Sequence, residues 1–213
     1  MKEHDTLDKI NLDVRNCKLC LLSNSRKNTV PGEGNFLKKL MIIGEAPGYY
    51  EDQSGRPFIG AAGKILRNTL AKNKINIEDV FITNIVKCRP PNNRPPQINE
   101  KKICRQYLDR QIFLLKPKII CLLGNVASSF ILDLKSIRNE RGKVIHKNGL
   151  KFFITYHPAA TIYNRSLLNT FELDIKKEIE MNENQEERIK ILIERLSSKP
   201  SSLTEIIEYL KDY

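Results

Sequence analysis

A chain of 213 residues can bury one sizeable α/β core with a small appendage, and is too short for two full domains. The opening MKEHDTLDKI is charged and no run approaches the roughly 18 apolar residues of a membrane span, so the expectation is a soluble, cytoplasmic protein without signal peptide or membrane contact. The net charge of +11 is uneven: residues 176–213 carry 7 Lys and Arg against 9 Asp and Glu, which leaves +13 on residues 1–175 and suggests a polyanionic partner, most simply nucleic acid.

In chain order, the first motif is NCKLCL, where Cys17 and Cys20 stand at a C-x-x-C spacing that in a cytosolic chain points to a metal before a disulfide. The apolar run KLMII predicts a first strand over Lys39–Ile43. It feeds GEAPGYYEDQSGRPFIGAAGKIL, Gly44–Leu66, which leads into a helix predicted over Ala61–Asn73. Glycine-rich turns of this kind often cradle phosphate with backbone N–H groups. Here Gly63-Lys64 is followed by Ile65, and Phe58 stands where a Walker loop needs its first glycine; G-x-G-x-x-G is missing too. A nucleotide-binding or phosphate-transfer enzyme is therefore disfavoured, and Glu45, Glu51, Asp52 and Phe58 become the residues of interest.

A second strand is predicted over Val80–Val86 (VFITNIV), followed by the loop KCRPPNNRPP with Cys88. A helix over Ile98–Lys116 comes next, its Ile103, Tyr107, Leu108, Ile112 and Leu115 recurring at helical spacing. Cys104 lies on that helix, with fifteen residues between it and Cys88. With Cys17 and Cys20 these complete a four-cysteine set able to hold zinc or an iron–sulfur cluster; the wide second spacing is unlike a zinc ribbon, and spacing alone leaves the metal open. Cys121, inside a third strand predicted over Lys118–Leu123, reads as a buried thiol.

A helix over Asn125–Asp133 and a fourth strand over Phe152–Tyr156 extend the alternation of strand and helix. The pattern predicts a three-layer α/β/α sandwich around a four-stranded, mainly parallel sheet. Ligands of such sheets bind beyond the carboxyl ends of the strands, which singles out Gly44–Gly48, Asn84, Gly124-Asn125 and His157-Pro158. Past about residue 165 the chain turns charged and helix-favouring, with a serine- and proline-rich turn at 197–202. The expectation is one domain over residues 1–175 and a C-terminal helical appendage over residues 176–213 that docks rather than acts.

Taken together, these blocks resemble the family 4 uracil-DNA glycosylases, the iron–sulfur type of archaea and many bacteria. The likeness runs from Cys17 to about Asn164. It rests on C-x-x-C followed by VPGEG, the stretch GEAPG..ED..GRPF.G.AGK.L, then FITNIVKCRPPNNRPP, ERG and TYHPAA, all in order. The resemblance implies a [4Fe-4S] cluster of mainly structural role on Cys17, Cys20, Cys88 and Cys104, and hydrolytic removal of uracil from DNA. The glycine-rich loop would then hold a flipped-out base, with Phe58 as stacking plate and the backbone amides of Gly44 and Ala46 at one edge.

The residues support that chemistry. Uracil presents O4 as acceptor and N3–H as donor, so the Asn84 carboxamide can pair with both, whereas cytosine reverses the pattern. Bond cleavage drives charge onto the leaving base, chiefly at O2, where His157 is placed by the family pattern to donate a hydrogen bond. Glu45 is the nearest carboxylate for water, because Ala46 stands where better-known single-domain uracil-DNA glycosylases carry aspartate. Lys64, at a helix start, with Lys87, Arg89 and Arg94, are candidate phosphate contacts. Where many members continue the histidine motif with leucines and an arginine, this chain reads HPAATIYNR, so Ile162 is assigned the wedge and Tyr163 stands in the arginine position. The expected partner is uracil-containing DNA, single- or double-stranded, met by a monomer; no clear replication-clamp motif is present. The rival reading is a non-catalytic iron–sulfur DNA-binding protein of the same fold.

Overall fold

The computed structural model describes residues 5–37, 39–177 and 179–180. Contacts divide the chain into a unit over Met1–Lys176 and a second over Lys177–Tyr213. Nearly all of the appendage expected over residues 176–213 lies outside the described residues.

Two short helices, α1 (Leu7–Arg15) and α2 (Leu22–Ser25), precede the sheet. Then come β1 (Leu40–Gly44), α3 (Tyr49–Ser54), α4 (Ala61–Lys72), β2 (Phe81–Asn84), α5 (Ile98–Leu115), β3 (Ile119–Leu123), α6 (Gly124–Leu132), β4 (Val144–Lys147), β5 (Leu150–Thr155) and α7 (Pro158–Tyr163). Residues 166–177 are helical as well. The sheet order is β2-β1-β3-β5-β4, with β2, β1, β3 and β5 parallel and β4 antiparallel to β5.

The expected α/β layers are present, and the four predicted strands coincide with β1, β2, β3 and β5. The sheet is larger than expected by one edge strand, β4. Its residues are half-buried or exposed, so it carries no continuous apolar run. It is joined to β5 by Asn148-Gly149, both at positive φ (52° and 74°), the conformation a tight hairpin requires.

Alternation along the strands divides the core between two faces. Met41, Ile43, Phe81, Ile120, Leu122, Phe152 and Ile154 pack with α1, α5 and α6 in one buried cluster. The intervening residues, such as Ile42, Cys121 and Phe153, turn to the opposite face, where α4 buries Leu66 and Leu70 and the 166–177 helix buries Phe171. The chain runs from β1 out to β2 and then back past β1 to β3, so the direction of winding reverses at the carboxyl end of β1. That crevice is where such a sheet takes its ligand.

Candidate functional site

Gly44 ends β1 in direct register with Asn84 at the end of β2. A Cβ on Gly44 would stand 2.5 Å from Asn84 Oδ1 and 2.6 Å from Phe58 Cζ, so glycine is what lets these two side chains meet at the strand end. Asn84 is 1% exposed, and its Oδ1 is buried without a hydrogen-bond partner. An orphaned acceptor of that kind costs about 1–3 kcal/mol unless a ligand donates to it.

Phe58 sits at φ 53°, a left-handed conformation rarely adopted by a bulky residue. Three contacts hold it there. Glu51 Oε1 accepts from Ile59 N (2.9 Å) and Gly60 N (2.8 Å), while Oε2 accepts from Gly48 N (3.1 Å), so one carboxylate clamps both arms of the loop. Gly63 in the first turn of α4 comes so close that a Cβ would lie 1.6 Å from the Phe58 carbonyl oxygen. Gly63→Ala should therefore force helix and loop apart, lowering thermal stability by about 1–3 kcal/mol or more and abolishing ligand binding. Thermal unfolding beside a binding assay reads both.

His157 caps α7 from the end of β5: its Nδ1 accepts from Ala159 N at 3.2 Å. That leaves the neutral ring's proton on Nε2. Burial lowers the imidazole pKa to about 4, so the ring is uncharged at neutral pH and offers one N–H donor. Its centroid lies 5.9 Å from that of Phe58. Gly124, which follows β3 at φ 84°, leaves room for it; a Cβ there would meet His157 Cβ at 2.9 Å. Imidazole, phenyl ring and carboxamide thus gather at one rim of the sheet. Glu45 follows Gly44 directly, and burial raises its carboxyl pKa against the opposing pull of Lys101. Ala46 packs against the core beside it.

The expected phosphate contacts fare unevenly. Lys64 is exposed on α4, whose start carries no side-chain cap; the two amides just before it, of Ile59 and Gly60, donate to Glu51. Arg89 donates to Asn93 Oδ1 (2.8 Å) and lies 5.2 Å from the Tyr49 ring centroid, linking the loops after β1 and β2. Two candidates need correction. Lys87 is 1% exposed and its ammonium points inward, because three polar groups inside the protein capture it. Arg94 makes a two-pronged ion pair with Glu100 (2.9 and 2.6 Å), which holds the Glu100 carboxyl below its usual range and clips the loop to α5. On α7, Thr161 is buried and bonded to the Pro158 carbonyl, while Ile162 and Tyr163 are 45% and 91% exposed. Asp52 is a buried brace, accepting from Lys27 N and Asn28 N.

Cys17, Cys20, Cys88 and Cys104 line one pocket with Val14, Tyr107 and neighbouring apolar residues. Among the described residues no three His, Cys, Asp or Glu side chains close on a point as a single ion requires. Donors nevertheless aim at the sulfurs: Arg26 Nη1 lies 3.0 Å from Cys88 Sγ and Lys87 N 3.2 Å from Cys104 Sγ. Burial pushes the Cys104 thiol up to about 12 and raises Cys88 as well, so as free thiols both stay protonated at neutral pH. A guanidinium facing a neutral thiol is a poor match; facing a metal-bound thiolate it is a good one. Arg26, 62 residues from Cys88, gave no signal in the sequence.

A family model described as the uracil DNA glycosylase superfamily matches residues 31–180. The chain is 46% identical to the type-4 uracil-DNA glycosylase of Sulfurisphaera tokodaii, over 81% of this chain and 83% of that protein. It is 44% identical to the type-4 uracil-DNA glycosylase of Saccharolobus solfataricus, over 93% and 90%. With that of Thermotoga maritima it shares 44% identity over 72% and 81%.

Proposed function

Because the chain belongs to the type-4 uracil-DNA glycosylases of the uracil DNA glycosylase superfamily, we propose that it hydrolyses the bond between uracil and deoxyribose in DNA, releasing uracil and leaving an abasic site for repair. The observation that carries this reading is the meeting of an orphaned Asn84 Oδ1, the Phe58 ring and a neutral His157 at the carboxyl end of the sheet. Extrusion of the nucleotide costs a few kcal/mol, which stacking on Phe58 and pairing with Asn84 offset.

As the C1′–N1 bond breaks, its electrons pass to the base, and His157 Nε2–H stabilises the growing charge at O2 without transferring its proton. The Glu45 carboxylate orients water toward C1′ and faces the cationic sugar; water's oxygen ends on C1′ and its proton leaves to solvent. Exposed Ile162 fills the vacated stack, Tyr163 lies beside it, and Lys64 and Arg89 contact phosphates. Cys17, Cys20, Cys88 and Cys104 would hold a [4Fe-4S] cluster, which when bound ties the N-terminal segment to the loop after β2 and to α5. The spread of their sulfurs around a pocket fits a polynuclear group better than one ion. DNA is the partner, and no described helix is long and apolar enough to cross a membrane.

Incubation with a uracil-containing oligonucleotide, followed by alkali, tests the reading. Strand scission only at uracil is expected, from a brown protein absorbing in the blue. Intact strands across a range of salt would leave the non-catalytic binding protein.

A further inference from the structure

Lys87 has no part in the reaction described above, yet it is among the largest fully buried side chains. All of its polar groups are engaged. The ammonium donates to Thr83 Oγ1, to the Asn84 carbonyl (2.9 Å) and to Gln111 Oε1 (2.8 Å), three neutral acceptors for three protons. Its amide donates to Cys104 Sγ, and its carbonyl accepts from Val30 N at 2.7 Å. The network closes on one atom: the Pro31 carbonyl accepts from Thr83 Oγ1 (2.8 Å) and from Gln111 Nε2 (2.9 Å). Pro31 belongs to VPGEG, a motif that contributes nothing directly to the base site.

A buried cation without a carboxylate is a costly way to join a strand to a helix, and an apolar residue of like volume would do so at less expense. What distinguishes this one is its target. The carbonyl it holds belongs to Asn84, whose own side-chain oxygen is left unpaired beside Gly44. A carboxamide with an unsatisfied acceptor gains by rotating or shifting toward any donor, unless its backbone is fixed. We propose that Lys87 is a positioning residue for base recognition: its caged ammonium fixes the end of β2 so that the Asn84 carboxamide stays aimed at the extruded base.

This proposal rests on the reading of Asn84 as the group that pairs with uracil. Its test compares two DNAs, one carrying 2′-fluorodeoxyuridine, whose glycosidic bond resists cleavage, and one carrying a tetrahydrofuran abasic analogue with no base to grip. Lys87→Met should lose about tenfold or more in affinity for the fluorinated DNA while binding the abasic analogue within about twofold of the unaltered protein, with its blue-region absorbance kept. Gln111→Leu, which removes one acceptor of the cage, should show the same pattern at smaller amplitude and serves if Lys87→Met does not fold. Equal losses on both DNAs, or none on either, would overturn the positioning role. Unaltered protein that neither binds the fluorinated DNA more tightly than the abasic one nor cleaves at uracil would overturn the proposed function, and this role with it.

Discussion

His157→Ala is expected to slow uracil excision by about 10²–10³-fold while leaving DNA affinity nearly unchanged, the usual effect of losing one donor to a developing oxyanion. In the proposed mechanism the ring can meet the base only through Nε2–H, because Nδ1 is taken by the Ala159 amide. The bond it makes to O2 is weak while the base is still attached and strengthens as charge arrives. Its loss therefore falls on turnover rather than on binding. The same substitution removes the cap of α7, so a stability loss of about 1 kcal/mol is expected in thermal unfolding and has to be separated from the rate effect. Single-turnover rates and DNA affinity, measured on one preparation, decide the matter; parallel losses in both would contradict the leaving-group role.

The pH profile separates this donor from the carboxylate. With a pKa near 4, His157 stays neutral throughout the range in which the protein would be assayed, so it produces no limb near its ordinary value of 6.5. In its proposed role Glu45 must be ionised to face the sugar cation, and burial lifts its pKa above 4.5. Activity should therefore rise with pH through that raised value. The acid limb should persist in His157→Ala and disappear in Glu45→Gln.

How much of this was legible in the sequence depended on what each residue is buried against. The strands β1, β2, β3 and β5 announce themselves because they read as short runs dominated by apolar and β-branched residues, buried at every position of β1, β2 and β3. The edge strand β4 lacked that mark, although Asn148-Gly149 is a strong hairpin signal in its own right. Gly44, Asn84 and His157 were readable as strand ends because parallel topology fixes where ligands go. Lys87 and Arg94 were misread for one reason: a charge in a motif says nothing of which way its side chain turns. The caging of Lys87 needs Gln111 from a helix 24 residues away, and the Arg94 ion pair needs a carboxylate buried in the first turn of α5. Glu51 shows the converse, its loop-bracing role following from backbone amides that no side-chain pattern displays.

Asn84→Asp should cost uracil excision about 10²–10³-fold, and should fall most heavily on the distinction between uracil and cytosine. In the proposed mode of recognition the carboxamide presents Oδ1 to N3–H and an amide N–H to O4. An aspartate keeps the first contact and sets oxygen against O4, inverting the second from attraction to repulsion. Because the position is 1% exposed, the new charge has no water to relieve it, and the slot is penalised by burial as well as by mismatch. Cytosine, whose exocyclic amine donates where uracil accepts, finds an acceptor at that edge instead of a clash of hydrogens. The ratio of kcat/KM for uracil to that for cytosine is thus the sensitive measurement, and affinity for the abasic product, which has no base to read, should change little. An Asn84→Asp variant that kept its uracil rate and its discrimination would mean that the base is recognised elsewhere, by backbone amides of the glycine-rich loop, with the orphaned oxygen at the end of β2 playing no part.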